Sequence, residues 1–225
     1  MKKKQISIDG PAGSGKSTIA KLLAEKLNFV YIDTGAMYRA VTLLAIKNSI
    51  SMDNIAELSA LAEKAKIDFA NEKGKPQLIF CDGENITEEI RSSEVNEKVS
   101  TISAIKEVRE KLIHNQRRIA ENKNVVMDGR DIGTVVLPDA TIKIFLTASL
   151  EERSKRRAEE MKSKGVQFDF HNLKEEIARR DKMDSERTLS PLKPAQDAII
   201  IDSTELTIKE VTEKILQLYY ANGGE

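Results

Sequence analysis

The chain has 225 residues, with 36 Lys and Arg against 36 Asp and Glu, so its formal net charge at pH 7 is +0. Because it has no tryptophan, only 4% aromatic residues and no overall positive field, its composition argues against nucleic acid and against an anionic membrane surface as partners. The single cysteine, Cys81, permits neither an internal disulfide nor a cysteine metal site, which suits a reducing compartment. No apolar run reaches the roughly eighteen residues of a membrane span, so we expect a soluble, cytoplasmic monomer.

The first predicted element is a buried strand that ends at a glycine-rich loop. This loop matches the pattern G-x-x-x-x-G-K-[ST] from Gly10 to Ser17, and an amphipathic helix is predicted after it. Glycines let backbone N–H groups turn toward phosphate oxygens, and the helix offers its positive dipole end. We therefore expect a phosphate-binding loop (P-loop) for a nucleoside triphosphate, with Mg²⁺ on the Ser17 hydroxyl, rather than a glycine turn that merely carries a lysine. The predicted ATP-binding residues are Gly10, Pro11, Ala12, Gly13, Ser14, Gly15, Lys16, Ser17 and Thr18.

A second short strand, over 29–32, ends at the polar segment 33–39, which leads into another helix. In an open parallel sheet, ligands bind beyond the carboxyl ends of the strands. Thr34, Tyr38 and Arg39 should therefore face the same crevice as the P-loop. The alternative for Tyr38 and Arg39 is an ordinary helix start with one solvated charge.

The pattern changes over 51–103, where a helix capped by Asp53 is followed by short strands and polar turns. The Asp82-Gly83 pair predicts a small antiparallel meander rather than another strand-helix unit. We interpret this region as an inserted subdomain. A basic amphipathic helix is predicted next, over 108–120, and its arginines are expected to be mostly solvated: Arg109, Arg117 and Arg118.

Three further buried runs, 124–128, 142–146 and 198–202, predict strands of a parallel sheet, and a last helix is predicted over 207–220. The expected fold class is therefore α/β, with a five-stranded parallel sheet flanked by helices. We expect one domain, whose core comprises about 1–50, 104–150 and 188–225.

Residues 151–187 are rich in arginine and poor in apolar residues. Two basic helices joined by a glycine-containing tip, with little core of their own, predict a helical lid that opens and closes. The alternative is a salt-bridged surface hairpin, which Glu151 with Lys155 and Glu152 with Arg156 would support at i,i+4 spacing.

A P-loop alone is compatible with a phosphotransferase, a GTPase switch or a motor-type ATPase. No aspartate here has glycine three residues later, and 122–125 ends in valine where a guanine-binding Asn-Lys-x-Asp motif needs aspartate. Asp128 ends a strand as in motor ATPases, but the arginine of Gly129-Arg130 suggests phosphate binding instead. Transfer between two anionic nucleotides requires charge neutralisation, and this chain has arginines in the loops concerned.

Four segments carry a closer resemblance: GPAGSGKST at 10–18, DTGAMYR at 33–39, DGRDIGT at 128–134 and RDKMDSER at 180–187. In this order, and with the inserted region, the chain resembles bacterial cytidylate kinases over nearly its whole length. The resemblance implies the fold of P-loop nucleoside monophosphate kinases, with a monophosphate-binding insert, and transfer of the γ-phosphoryl group of ATP to CMP or dCMP. Some members have serine where this chain has Thr34, but the hydroxyl is kept. The resemblance puts Thr34, Ser100, Arg109 and Asp131 near the cytosine, Asp184 near the sugar, and Arg39, Arg130, Arg180 and Arg187 near the acceptor phosphate.

The expected mechanism is mostly positioning. Lys16, Mg²⁺ and the lid arginines Arg153 and Arg157 would offset charge on the γ-phosphoryl group during in-line attack, and Asp128 would order magnesium-bound water. The alternatives are a kinase for another small phosphate acceptor and a non-catalytic nucleotide-binding switch. An alternative role for Asp131 is a turn residue paired with Arg130. The preference between CMP and dCMP, and the range of phosphate donors, stay open.

Overall fold

The computed structural model describes residues 3–70, 72, 74–75, 77–163 and 165–224. Within that part of the chain, no helix is both long and apolar enough to cross a membrane. Its strands are β1 (Gln5–Asp9), β2 (Val30–Asp33), β3 (Ile67–Ala70), β4 (Leu78–Cys81), β5 (Glu84–Asn85), β6 (Val125–Gly129), β7 (Ile142–Thr147) and β8 (Ile199–Asp202). Its α-helices are α1 (Lys16–Leu27), α2 (Thr34–Lys47), α3 (Ile55–Lys64), α4 (Ser93–Ala104), α5 (Lys106–Ala120), α6 (Leu150–Ser163), α7 (Phe170–Ser185) and α8 (Ile208–Ala221).

The central sheet has five strands in the order β2-β6-β1-β7-β8, and each neighbouring pair is parallel. Ile8 in β1 lies beside Asp128 in β6 on one side and beside Ile144 in β7 on the other. The predicted α/β class and five-stranded parallel sheet are confirmed. The connection from β1 leads to β2 at one edge of the sheet, whereas the connection from β6 leads to β7 on the other side of β1. The carboxyl end of β1 is therefore a switch point, where sheets of this kind bind ligands.

Helices cover both faces of the sheet, which is why its strands are runs of aliphatic residues rather than alternating ones. On one face, Ile8 and Ile144 of the sheet pack with Leu23 of α1 and Tyr219 of α8. On the other face, a second buried cluster includes Met127 of β6. These two layers hold the ends of β1, β6 and β7 in fixed positions relative to one another.

The segment 51–103 packs against the core. Ile79 of β4 lies in the same buried cluster as Met37 of α2 and Leu112 of α5. Gln77 also donates a hydrogen bond to the carbonyl oxygen of Tyr31 in β2 (3.0 Å). The interpretation of this segment as a separate inserted subdomain stays a prediction.

The predicted meander is confirmed, because β3, β4 and β5 form an antiparallel sheet. Asp82 and Gly83 both have positive φ, 51° and 88°, as a two-residue turn between twisted strands requires. The helix before the meander starts one residue later than expected: Asn54, not Asp53, caps α3, because its side-chain oxygen accepts the Glu57 N–H (3.2 Å). Residues 71, 73 and 76 of the predicted turn between β3 and β4 lie outside the described residues.

Helices α6 and α7 form the predicted pair of basic helices. Of the two ion pairs expected for a hairpin, Glu152 with Arg156 is present (3.0 Å), whereas Glu151 pairs with Lys174 of α7 (2.6 Å) and not within its own helix. Opening and closing of this lid stays a prediction. The apolar core between the two helices is small and has three buried side chains: Ala158, Leu173 and Ile177.

Candidate active site

The P-loop connects β1 to α1 at the switch point of the sheet. A Cβ atom at Gly10 would lie 2.0 Å from the carbonyl oxygen of Leu146 in β7, so only glycine fits there. Gly13 and Gly15 have φ values of 76° and 89°, in the left-handed region that glycine adopts without strain. The loop opens onto a cleft of about 1130 Å³, which residues 12–18 help to line, while Gly10 and Pro11 form the buried start of the loop.

The Lys16 ammonium group is folded back over the P-loop. It donates hydrogen bonds to the Pro11 carbonyl oxygen (2.6 Å) and to Ser14 Oγ (3.4 Å). Burial, followed by the nearby Arg130, lowers the pKa of Lys16 to about 7, while Asp128 opposes this shift. A polyphosphate in the cleft would give this amine anionic partners and raise its pKa again.

Asp128, at the end of β6, accepts two hydroxyl hydrogen bonds. Ser17 donates to its Oδ2 (3.0 Å), and Tyr31 donates to its Oδ1 (2.7 Å). Burial and then Asp33 raise the pKa of Asp128 to about 6, while Lys16 lowers it. Ser17 and Asp128 both line the cleft, and Mg²⁺ prefers oxygen ligands together with several retained waters. These residues therefore fit a magnesium ion that is held jointly with nucleotide phosphates.

Asp9, at the end of β1, is a site residue that the sequence analysis did not single out. Its carboxylate accepts the N–H groups of Ile132 (2.8 Å) and Gly133 (2.7 Å), which open the π-helical turn Ile132–Val136. Burial raises the pKa of Asp9 to about 6, although these two hydrogen bonds oppose the shift. Asp9 thus fixes the turn directly after Arg130 and Asp131. The signal in the sequence is a carboxylate at the end of a buried strand.

Three of the four arginines predicted near an acceptor phosphate lie around Asp184: Arg130, Arg180 and Arg187. The fourth, Arg39, lies near Arg180 and Asp33. Asp184 accepts Nε–H of Arg130 (2.7 Å) and also pairs with Arg187. Burial alone would raise the pKa of Asp184, but these arginines lower it below its ordinary value. For Arg180, burial and the neighbouring Arg39 and Arg130 lower the pKa to about 9. Burial, followed by nearby Arg130, also lowers the pKa of Arg39, although Asp33 opposes the shift. A bound anion would relieve the repulsion among these guanidinium groups, so this part of the cleft favours anions.

Arg109 of α5 and Asp131 form a buried ion pair, with side chains 3% and 6% exposed. Arg109 also donates to the Ser103 carbonyl oxygen (3.0 Å), and its guanidinium carbon lies 5.5 Å from the centre of the Tyr38 ring. Arg109 is therefore the exception to the expectation that most arginines of this helix are solvated, because this position of α5 faces the cleft. The other two arginines of that helix are exposed: Arg117 and Arg118.

The two hydroxyl residues predicted near the base, Thr34 and Ser100, are both buried, and of the two only Thr34 is among the residues that line the cleft. The Thr34 hydroxyl donates to the Asp128 carbonyl oxygen (2.7 Å). Ser100 is buried in α4, and its carbonyl oxygen accepts the Ser103 hydroxyl (3.0 Å). Ser103, which the sequence analysis missed, lines the cleft and accepts a hydrogen bond from Arg187 Nη2 (2.9 Å).

Over nearly its whole length the chain is similar in sequence to known cytidylate kinases. The family model described as cytidylate kinase matches residues 6–221. A cytidylate kinase from Alkaliphilus oremlandii is 55% identical over 95% of this chain and 96% of its own length, and one from Caldicellulosiruptor saccharolyticus is 52% identical over 98% and 97%. The chain belongs to the cytidylate kinase family. The crystal structure of an uncharacterised protein from Eubacterium ventriosum aligns over 97% of this chain and 99% of its own, with a TM-score of 0.54 at 16% identity, which shows a shared fold.

In this member of the cytidylate kinase family, the lid arginines occupy two kinds of position. Arg156 and Arg157 line the cleft, and Arg157 pairs with Glu160 (2.6 Å). Arg153 is buried and is not among the residues that line the cleft; its guanidinium pairs with Asp181 (2.5 Å). A direct contact between Arg153 and a transferred phosphoryl group stays a prediction, and it would require this guanidinium to leave its present partner.

Proposed function

We propose that this kinase transfers the γ-phosphoryl group of ATP to CMP or dCMP, giving ADP and CDP or dCDP. The observation that carries the proposal is one continuous cleft with three different linings: the P-loop with Lys16, the arginine cluster around Asp184, and the Arg109–Asp131 pair. The P-loop suits a triphosphate, and the arginine cluster suits an anionic acceptor. The Arg109–Asp131 pair suits a base that has both hydrogen-bond donors and acceptors. We further propose that the protein acts as a cytoplasmic monomer.

The acceptor phosphate is proposed to bind among Arg39, Arg130, Arg180 and Arg187. Bringing these like charges together in a buried cleft is unfavourable, as the lowered pKa of Arg180 reflects. A phosphate dianion would relieve this repulsion and accept several charge-assisted hydrogen bonds at once. Asp184 would orient Arg130 and Arg187 and lie near the sugar.

Cytosine is proposed to be recognised by Asp131 and Arg109, with Thr34 and Ser100 nearby. The carboxylate can only accept hydrogen bonds, so it matches the exocyclic amino group of cytosine and repels the carbonyl oxygen that uracil has there. The guanidinium can donate to the ring nitrogen and the carbonyl oxygen of cytosine. Because each member of the ion pair is held by the other, the pair is preorganised for one base edge.

The transfer step is proposed to depend on charge compensation. Residues 10–18 would bind the ATP phosphates, and Lys16 would contact the β- and γ-phosphates. When bound, Mg²⁺ would supply positive charge to the triphosphate, and Ser17 and Asp128 would hold it, Asp128 through a water. Arg157, with Arg156 beside it, would offset charge that spreads over the γ-phosphoryl group. No general base is required, because the acceptor phosphate is already anionic at neutral pH.

A panel of acceptors tests this proposal. ADP release from ATP and Mg²⁺ would be followed with CMP, dCMP, UMP, AMP and no acceptor. We expect turnover that depends on CMP or dCMP. Turnover with a different acceptor would identify a kinase for another phosphate, and ATP binding without acceptor-dependent turnover would favour a nucleotide-binding switch.

A further inference from the structure

Both helices of the lid meet at one residue of the P-loop. Asp181 of α7 accepts the Ala12 N–H with its Oδ1 (3.1 Å), and its Oδ2 accepts a hydrogen bond from Arg153 Nη1 (2.5 Å). The same nitrogen of Arg153, which belongs to α6, donates to the Ala12 carbonyl oxygen (2.8 Å). Both backbone polar groups of Ala12 are therefore held by side chains of the lid, one from each helix.

The rest of Arg153 is also fixed in place. Its Nε–H donates to the Ala148 carbonyl oxygen (2.9 Å), and the residue is only 6% exposed. The backbone of α6 approaches the P-loop closely at the same point, because a Cβ atom at Gly13 would lie 3.1 Å from the Arg153 carbonyl oxygen and 3.2 Å from its Cβ. The contact is thus a packed junction between the loop and α6, and Asp181 joins α7 to it.

This arrangement bears on how Arg153 can act. Its charge is compensated by the Asp181 carboxylate, and Nε and Nη1 donate to the Ala148 and Ala12 carbonyl oxygens and to Asp181. A phosphate oxygen could bind these N–H groups only if the junction broke. Arg156 and Arg157, on the same helix, line the cleft instead. The sequence pattern does not separate these roles, because all three arginines lie within two turns of a helix.

We propose that Asp181 and Arg153 are positioning residues, which dock both lid helices on Ala12 and thereby fix the shape of the loop that cradles the donor phosphates. The docking itself can be measured without substrate, whereas its kinetic consequence rests on the proposed function. Loss of the docking should weaken ATP binding far more than CMP binding, because Ala12 belongs to the donor side of the cleft.

Two variants and a control test this proposal. Asp181→Ala removes both hydrogen bonds to the carboxylate, and Arg153→Lys keeps the charge but cannot span Asp181, Ala12 and Ala148. Glu175→Ala removes an exposed carboxylate from the same helix α7. In nucleotide-free protein, we expect the Ala12 amide to exchange its hydrogen about tenfold faster in the first variant and several-fold faster in the second, but not in the control.

The same variants should raise KM for ATP about tenfold and change KM for CMP less than twofold. The KM for ATP of the double variant should be no higher than that of the more affected single variant, because both changes break one junction.

Unchanged exchange at the Ala12 amide in both single variants would overturn the docking. If Asp181→Ala fails to fold, the exchange rate in Arg153→Lys decides alone. The positioning role would also be overturned if Arg153→Lys lowered kcat about a hundredfold while Asp181→Ala left all kinetic constants unchanged. Absence of CMP turnover in the unaltered protein would contradict the proposed function alone, since amide exchange still decides the docking.

Discussion

Replacing Asp131 by asparagine should remove much of the discrimination between cytosine and uracil. In the unaltered site, uracil would place a carbonyl oxygen against a carboxylate, and each polar group left unpaired costs roughly 1–3 kcal/mol. Asparagine can turn its amino group toward that oxygen, so this penalty falls for UMP while CMP loses a charge-assisted hydrogen bond. We expect the ratio of kcat/KM for CMP to that for UMP to fall about tenfold or more, about 1.4 kcal/mol per factor of ten.

Replacing Asp131 by alanine would be less informative. Arg109 is buried with Asp131, and removal of one partner from a buried ion pair typically costs about 3–5 kcal/mol. Asp131→Ala should therefore lower the CMP/UMP ratio and also the melting temperature, which mixes recognition with stability. Asparagine keeps the shape and one acceptor oxygen for Arg109, so the effect on the ratio can be separated from unfolding.

The assay would compare kcat/KM for CMP and UMP in the unaltered protein, in Asp131→Asn and in Asp139→Asn, together with thermal melts. Asp139 is an exposed acid in the same connection between β6 and β7, so its replacement should change neither ratio nor stability. An unchanged ratio in a folded Asp131→Asn protein would refute the argument and show that cytosine is recognised elsewhere. The alternative in which Asp131 pairs with Arg130 is wrong for this structure, since its partner is Arg109.

Other predictions concern the donor side, the acceptor arginine and the lid. Lys16→Ala should lower kcat at least about a hundredfold, a cost of order 3 kcal/mol, and near-normal turnover in a stable variant would remove this role. Burial lowers the pKa of Lys16 to about 7, and bound phosphate should raise it, so ATP binding at pH 8–9 should take up a proton and should weaken as the pH rises. Calorimetry in two buffers with different ionisation enthalpies measures this proton uptake, which Lys16→Met should abolish. Ser103→Ala should raise KM for CMP several-fold through Arg187, whereas the exposed Thr101→Ala should not, and the effect should vanish in an Arg187→Ala background. Hydrogen exchange over 153–187 should slow when both nucleotides bind; equal protection with and without them would favour a rigid hairpin.

Features that depend on neighbours in the chain were predictable from the sequence. The P-loop, the parallel strands and the turn at Asp82-Gly83 each follow from residues within one short segment, because glycine permits positive φ and aliphatic runs suit a sheet covered on both faces. The resemblance extended this to a set of acceptor residues, most of which line one cleft in the structure. Their individual roles in binding stay proposals.

The partners of the buried charges were decided only by the tertiary structure. The helical pattern around Arg109 does not show that its side chain pairs with Asp131, 22 positions away. Asp9 accepts a hydrogen bond from the N–H of Ile132, 123 residues later in the chain. Asp181 accepts one from the N–H of Ala12, 169 residues earlier. A helical or strand period shows which face a residue occupies but not which distant group will compensate its charge there. In a buried site that compensation determines the state of a charged side chain, since an unpaired charge away from water is too costly to keep.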